Sequence, residues 1–288
     1  MQTHEHQSTA TRRSVSRVVR GMPATDGAGV ELTRVIGQPV LPMLDPFLLL
    51  DAFRSDRPGD YIAGFPAHPH RGFETVTYLL AGRMRHRDNA GHEGVIEPGG
   101  VQWMTAGRGI VHSEMPEQRQ GLLEGFQLWV NLPAAHKMTQ PAYQEHTAAQ
   151  IPLERRDDGQ LIRVIAGRTA RGTRGPIDQP LTEPLYLDVT LPANAVFEEA
   201  LPPEHNAFAY VISGQLGIDG ASRPLVRDEL AVLSLGSGFG AHAGGEGARF
   251  LLIAGRPLHE PVARGGPFVM NTRAEIRQAQ EDYATGRL

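Results

Sequence analysis

A strand pattern that occurs twice is the feature of this sequence that most constrains its fold. Residues 78–82, YLLAG, match residues 210–214, YVISG, and residues 101–109, VQWMTAGRG, match residues 230–238, LAVLSLGSG. The order and spacing agree apart from a small change of length between the matched segments. Because self-similarity of this kind marks a repeated structural unit, the sequence predicts two copies of one β unit.

The remainder of the chain also favours β structure. Short apolar runs of strand length end in Gly, Pro or Asn, and 33 glycines and 22 prolines supply many tight turns. A polar stretch over residues 143–160 has the composition of a linker, so we predict domains over residues 1–146 and 147–288. Helical periodicity is convincing only in the tail, where Thr272 and Glu275 form a capping-box pattern ahead of a short helix.

Composition excludes several classes of function. The chain has no cysteine, which removes disulfides, thiolate metal sites, iron–sulfur clusters and a cysteine nucleophile. A formal charge of -4 without a long basic run gives no footprint for direct binding of nucleic acid. No segment approaches the roughly 20 apolar residues of a membrane span, and residues 1–19 lack the apolar run of a leader. We expect a cytoplasmic protein, not associated with a membrane, with residues 1–19 as a short disordered head.

Two pairs of polar residues suggest a metal centre. In a strand, residues i and i+2 point to the same face, so His68 and His70 project together, as do His112 and Glu114. If the two strands are neighbours in a small barrel, three imidazoles and one carboxylate converge inside it. The expected ligands are therefore His68, His70, His112 and Glu114.

The repeat predicts that only the first of the two copies has this metal centre. When the matched segments are aligned, the four candidate ligands fall on residues of the second copy that cannot bind a metal: Ala200, Pro202, Ala241 and Ala243. His242 aligns between two ligand positions and should face away, while His205 stands alone. We predict that both are structural, and that the second domain has no metal site of this type.

The ligand set alone does not choose the metal. Three imidazoles and a carboxylate suit Fe(II), and also Mn, Co, Ni or Cu, since the affinity order does not decide among them. A structural zinc site is normally closed and tetrahedral, but zinc with this ligand set stays open as an alternative. Four protein ligands on an ion that accepts six would leave two positions for a bidentate substrate, or for substrate and dioxygen.

The same segments resemble the cupins, and among them the pirins. Residues 68–82, HPHRGFETVTYLLAG, resemble the first cupin motif, and residues 97–116, EPGGVQWMTAGRGIVHSEMP, are similar to the second in its pirin form. The resemblance continues through LDPFLLLDAF, QLWVNLP and FLLIAGRPLHEPVARGGPFVMNT, and so covers nearly the whole chain. It implies an all-β bicupin of two β-barrels, with iron in the first barrel on the residues that match the four ligands named above.

The resemblance also implies a function. Some pirins and other cupins open flavonols, so the expected activity is that of a quercetin 2,3-dioxygenase, in which dioxygen attacks C2 and carbon monoxide is released. Glu114 is the expected general base, as a ligand beside an open position. The alternative is a redox-sensing regulator that binds a transcription factor or a metabolic enzyme, as certain pirins do. A non-enzymatic storage or sugar-binding cupin is a third class, and it would not need an open, redox-capable centre.

Five further residues are candidates for the surroundings of the metal. Glu74 matches the cupin-motif glutamate, lies an even number of residues from His70, and is expected to support a ligand histidine or to lie at the rim. Gln127, in an apolar strand, is expected to donate into the site. Phe65, Met104 and Met115 are expected to wall the cavity or to be ordinary core. Arg71 alternates away from the histidines and is expected to be structural.

Overall fold

The computed structural model describes residues 11–288, and their regular secondary structure is almost entirely antiparallel strand. The first half contains β1 Val15–Arg20, β2 Met22–Asp26, β3 Val30–Ile36, β4 Phe47–Ser55, β5 Phe65–His70, β6 Phe73–Ala81, β7 Met84–Asp88, β8 Glu93–Ile96, β9 Val101–Thr105, β10 Ile110–Pro116, β11 Leu123–Asn131 and β12 Ala142–His146. The second half contains β13 Leu153–Arg155, β14 Leu161–Ala166, β15 Leu185–Leu191, β16 Val196–Ala200, β17 Asn206–Ile218, β18 Glu229–Leu233, β19 Gly238–Gly255, β20 Ala263–Gly265 and β21 Phe268–Met270, followed by the helix α1 Arg273–Ala284. Two short 3₁₀ turns, Pro58–Asp60 and Ala134–His136, complete the secondary structure of these residues.

The strands form two barrels, which confirms the predicted bicupin. In the first barrel a seven-stranded sheet, β12-β9-β6-β11-β4-β3-β2, faces a four-stranded sheet, β5-β10-β7-β8. The second barrel is one eight-stranded sheet, β1-β18-β17-β19-β15-β14-β13, with β16 also paired to β19. The 18-residue strand β19 pairs with three different strands, and so carries this sheet around its own interior.

Both ends of the chain cross to the other barrel. Strand β1 pairs with β18 of the second barrel, in a register that places Val18 opposite Ala231. At the other end, the backbone of Val269 donates to the carbonyl of Arg71, and the guanidinium of Arg71 pairs with Asp282 of α1 at 2.8 Å. The sheets therefore divide the chain differently from a cut at residue 146. Arg71 has the expected structural role, because it fastens the C-terminal helix to the first barrel.

Two segments that we expected to be irregular are strands. The predicted head covers residues 1–19; residues 1–10 lie outside the described part, but Val15–Arg20 forms β1. The predicted linker contains most of Ala142–His146, which pairs with β9, and all of Leu153–Arg155, which pairs with β14. Polar composition misled both predictions, because an edge strand with one solvent face needs few apolar residues.

A shared apolar core joins the barrels. Tyr78 and Phe126 of the first barrel pack with Tyr186 and Tyr210 of the second, and the Tyr78 hydroxyl donates to Asp188 at 2.7 Å. Residues of the outer face of β6 and β11 thus become buried between the barrels, while their alternate neighbours point into the first barrel. This alternation determines which side chains reach the candidate site.

The C-terminal helix begins at the predicted capping box. The Glu275 amide donates to the Thr272 hydroxyl, and the Thr272 amide donates to the Glu275 carboxylate. Ile276 and Ala279 are buried on its inner face. Among residues 11–288, no helix is long and apolar enough to cross a bilayer.

Candidate metal centre

The two histidine-bearing strands lie side by side. Strand β10 pairs with β5 so that His112 is opposite His68 and Ile110 is opposite His70. Residues opposite each other in an antiparallel pair point to the same face, so the three imidazoles share the inner face of the four-stranded sheet. A bulge between His112 and Glu114 shifts the register, and Glu114 lies opposite Phe65.

Three imidazoles converge on one point. A nitrogen from each of His68, His70 and His112 lies within 4.8 Å of the other two, and the Nε2 atoms of His68 and His70 are 3.0 Å apart. His70 and His112 are almost fully buried, whereas His68 is half-buried. Such a grouping of nitrogen donors is typical of a transition-metal site.

Backbone carbonyls set the tautomers of two of these histidines. The Nδ1 atom of His68 lies 2.8 Å from the carbonyl oxygen of Pro66, and Nδ1 of His70 lies 3.3 Å from that of Pro267. Since a carbonyl only accepts, each Nδ1 carries the proton, and each Nε2 presents a lone pair. Both lone pairs point at the place where a cation would lie.

The environment keeps the imidazoles of His70 and His112 neutral. Burial, reinforced by the neighbouring His68 and opposed by the Pro267 carbonyl, lowers the pKa of His70 to about 3. Burial and the neighbouring histidines also hold the pKa of His112 well below its usual value. Neither ring nitrogen of His112 has a hydrogen-bond partner among the described residues. Neutral imidazoles with unused nitrogens are the form that binds a metal, so this donor set fits one.

Glu114 approaches the cavity but lies outside the group of three histidines. Its Oε1 atom accepts from the hydroxyl of Thr77 at 2.7 Å, and its Oε2 atom accepts from the amide of Gln127 at 3.2 Å. Thr77 also lies 2.6 Å from Oε1 of Gln127, so its one hydroxyl proton is shared between two acceptors. The carboxylate is thus oriented from behind by two side chains of the seven-stranded sheet.

These groups border a cavity of about 620 Å³ in the first barrel. His68, His70 and Glu114 lie on its wall. Its apolar lining residues are Leu32, Leu49, Phe53, Phe65, Met84 and Trp129. The guanidinium of Arg264 lies 5.5 Å from the ring centroid of Trp129, as in a cation–π contact, and both residues line the cavity. A cavity of this size and lining suits a small aromatic ligand.

A row of polar side chains crosses the seven-stranded sheet beneath Glu114. Cross-strand partners follow one another from Arg34 to Asp51, Gln127, Thr77 and Gln102. Arg34 binds Asp51 through two hydrogen bonds of 2.9 and 2.6 Å, which closes one end of the row. Residues in such a row share one face of the sheet, so the floor of the cavity is polar although its walls are apolar.

The surrounding candidates divide into two groups. Gln127 donates to Glu114, and Phe65 lines the cavity. Met104 packs instead with Ala106, Ile110 and Tyr143, outside the cavity lining. Met115 is also outside the lining, because it adjoins Glu114 in the same strand and must point the other way.

Glu74 differs most from its prediction. Its carboxylate accepts from Thr105 and from Gln179, each at 2.7 Å, and not from a candidate ligand histidine. Gly72 interrupts the strand with φ +88°, so counting residues from His70 does not preserve the face. Burial raises the pKa of Glu74 at this position between the barrels. Its role is to link the barrels.

Thr77 and Trp129 are site residues that the sequence interpretation missed. Thr77 holds Glu114, and the Trp129 ring packs edge-on against His70 with centroids 5.3 Å apart. One signal was present: Thr75 and Thr77 alternate with Val76 and Tyr78, as expected for a strand with different environments on its two faces.

The second barrel has a different interior. Ala241 and Ala243 are buried there, next to an aromatic cluster of Phe197, Phe239 and Phe250, and His242 between them is exposed. Among residues 11–288, neither cluster of potential metal donors lies in this barrel. The absence of a second centre of the same type stays a prediction.

Comparisons with known proteins agree with the fold. A family model described as "Pirin" matches residues 29–130, and one described as "Pirin C-terminal cupin domain" matches residues 186–288. A "Pirin-like protein" of Caulobacter vibrioides is 54% identical, over 96% of this chain and 99% of that protein. A Pseudomonas aeruginosa protein named "Putative quercetin 2,3-dioxygenase" is 50% identical, over 96% and 98%. The crystal structure of a quercetin 2,3-dioxygenase from Acinetobacter baumannii superposes with a TM-score of 0.88 at 34% identity, covering 96% of this chain and 98% of that one.

Proposed function

Since the chain belongs to the pirin family, we propose that it is a metal-dependent dioxygenase that opens the ring of a flavonol such as quercetin. The observation that carries the proposal is the convergence of three imidazoles, two of which lie with Glu114 on the wall of a largely apolar cavity of about 620 Å³. The names of the Pseudomonas relative and of the Acinetobacter structure support the same reaction.

The proposed cofactor is Fe(II), held by His68, His70, His112 and Glu114. The unused nitrogens and fixed tautomers of the histidines support this assignment. Glu114 would complete the set by exchanging one of its hydrogen bonds for the ion. When bound, such an ion supplies Lewis acidity toward a substrate hydroxyl and the one-electron chemistry that dioxygen requires.

Glu114 is the proposed general base. Its carboxylate lies at the cavity wall, where it can accept the proton of the flavonol 3-hydroxyl. Thr77 and Gln127 determine the direction of that carboxylate. Proton removal leaves an electron-rich flavonolate, and dioxygen then adds at C2. Ring opening releases C3 as carbon monoxide, and both atoms of dioxygen remain in the ester product.

The cavity would orient the substrate by its two kinds of surface. Phe53, Phe65 and Trp129 offer apolar contact to the fused rings and exclude water from the reacting carbon. The Arg34–Asp51 pair and Arg264 line the same cavity and offer partners for the phenolic hydroxyls. These hydroxyls are therefore expected to determine which way the flavonol enters.

Dioxygen uptake with quercetin tests the proposal. Anaerobically iron-loaded protein should consume one dioxygen and release one carbon monoxide for each flavonol lost. A Glu114→Gln variant keeps the shape of the side chain and should lose at least about 100-fold in rate, as expected when a general base is removed.

Fully loaded protein that leaves quercetin intact would contradict the dioxygenase proposal. That result would favour the alternative function, a regulator that binds a partner protein according to the redox state of its iron. Pull-downs with Fe(II)- and Fe(III)-loaded protein would test that alternative.

A further inference from the structure

A second group of metal donors lies in the first barrel, and it shares no residue with the centre described above. It consists of His86 on β7, His92 in the turn that follows β7, and Glu145 on β12. One donor atom from each lies within 4.8 Å of the other two. We propose that this cluster binds a divalent transition-metal ion such as Zn²⁺.

The burial of His86 without a hydrogen-bond partner is the feature that most favours a bound ion. Its side chain is 1% exposed, and neither ring nitrogen has a hydrogen-bond partner among the described residues. Its Nε2 atom lies 2.7 Å from Glu145 Oε1, although this contact is not a hydrogen bond. A buried imidazole that faces a carboxylate without bonding to it lacks compensation for its burial, and a shared cation would provide it.

The surroundings of the Glu145 carboxylate favour its binding to a cation. Gln102 donates to Oε1 at 2.6 Å, and Nε2 of His92 lies 3.0 Å from the same atom. Two imidazoles and one carboxylate are a known zinc ligand set that leaves a fourth position for water.

The local backbone holds the donors in place before any ion binds. The Asp88 carboxylate accepts from the amides of Ala90 and His92, each at 2.8 Å, and so fixes the turn that carries His92. The ring of Tyr143 stacks on His92 with centroids 4.3 Å apart. His92 is therefore held from its backbone and from its ring.

Gly94 leaves the room that such a site requires. A Cβ atom there would lie 2.5 Å from Nε2 of His86 and 3.0 Å from Oε2 of Glu145. Gly94 is also the cross-strand partner of His86. Its backbone is thus close enough to the cluster that any side chain would intrude between two of the donors.

An ion could reach this cluster from solvent. The side chain of His92 is 40% exposed and that of Glu145 is 34% exposed. His86, at 1%, closes the inner side, and its backbone partner on β10 is Glu114 of the first centre. The two centres are therefore neighbours with separate entrances, since the first opens onto the cavity of the barrel.

Zn²⁺ titration of chelator-stripped, full-length protein tests the proposal, with calorimetry and elemental analysis as readouts. Removal of the first centre by His68→Ala isolates the second, and this variant should still bind one equivalent of Zn²⁺. Adding His92→Gln, which keeps a donor toward Glu145 but has no imidazole, should weaken that binding at least about 100-fold. His136→Ala, at an exposed histidine outside both clusters, should change nothing.

Two results would overturn the proposal. One is a folded His68→Ala protein that binds no Zn²⁺; the other is binding that survives His92→Gln unchanged. Thermal unfolding in the presence of chelator establishes that each variant is folded. A failure of the proposed dioxygenase leaves this test intact, because it is performed without the first centre and without substrate.

Discussion

Strands β5 and β10 of the first barrel turn three histidines and a glutamate toward a cavity, whereas the corresponding part of the second barrel presents Ala241 and Ala243 to packed phenylalanines. The strand pattern is common to both, but the first interior keeps polar groups and space, and the second is filled. A polar, hollow interior gives up burial of apolar surface, which is the main favourable term in folding. The comparison indicates that the groups suited to chemistry lie in one barrel, whereas the interior of the other is packed with apolar side chains.

Removing a histidine from the first barrel should separate chemistry from stability most clearly. His112→Ala is expected to abolish stoichiometric iron binding and to lower flavonol turnover at least about 100-fold. The fold should survive, because the buried ring nitrogens of His112 have no hydrogen-bond partner within residues 11–288 to lose. Iron analysis and dioxygen uptake measure the effect. His242→Ala, at the exposed histidine of the second barrel, is the matched control, and full iron occupancy in His112→Ala would refute the ligand assignment.

The opposite result is expected from the core of the second barrel. Phe250 is fully buried against Phe197 and Phe239, so Phe250→Ala should lower the free energy of unfolding by about 3–5 kcal/mol. Phe65→Ala, at the half-buried cavity wall, should cost much less. Urea unfolding followed by circular dichroism measures both. If both substitutions lower the free energy of unfolding equally, the distinction between a filled and a hollow interior is wrong.

Acid should destabilise the first barrel of the metal-free protein through its neutral histidines. The folded pKa of His70 is about 3 against 6.5 ordinarily, so below pH 6.5 the unfolded chain binds a proton that the folded chain does not. Stability is therefore lost as the pH falls, and His70 should contribute about 2 kcal/mol of loss between pH 7.5 and 5.0. Urea unfolding of wild type and His70→Gln at the two pH values measures this contribution. If the free energy of unfolding falls by the same amount between pH 7.5 and 5.0 in wild type and in His70→Gln, the predicted contribution of His70 is wrong.

The smallest change in the free energy of unfolding is expected at the contact between the barrels. In Tyr78→Phe, Asp188 keeps its two hydrogen bonds from Arg249, so the loss should be only about 1 kcal/mol. The two tryptophans, Trp103 and Trp129, both lie in the first barrel, so their fluorescence reports on that barrel alone. Coincident fluorescence and circular-dichroism transitions are expected in wild type and variant. If the transitions separate in the wild type, the barrels are independent folding units.

The sequence was informative where the physics is local or repeated. The repeated strand pattern predicted two barrels, and the spacing of His68, His70 and His112 predicted their convergence, because side-chain alternation is a property of any strand. The one-sided loss of ligand residues also followed from the repeat. Alternation within a strand needs no knowledge of which distant segments pair, whereas the convergence also required that the strands of His68 and His112 be neighbours, as they are.

What failed depends on pairing across long distances or on breaks in a strand. Nothing in Val15–Arg20 marks β18 as its partner, and nothing in residues 143–160 shows that Glu145 will meet His86 and His92. Glu74 was misplaced because Gly72 resets the alternation that we counted from His70. A contact between remote strands is decided by the whole fold, so single-sequence patterns do not reveal it.

The crossed ends of the chain have a consequence for how such a protein can change over generations. A duplicated module is ordinarily free to be lost, swapped or fused elsewhere, because recombination between the copies leaves each one whole. Here a break between the halves would send β1 away from the barrel that it completes, and would strip the first barrel of the helix that Arg71 holds. Separating the two copies should therefore damage both barrels, so the barrel that has no cluster of metal donors among residues 11–288 is a structural part of its neighbour's architecture.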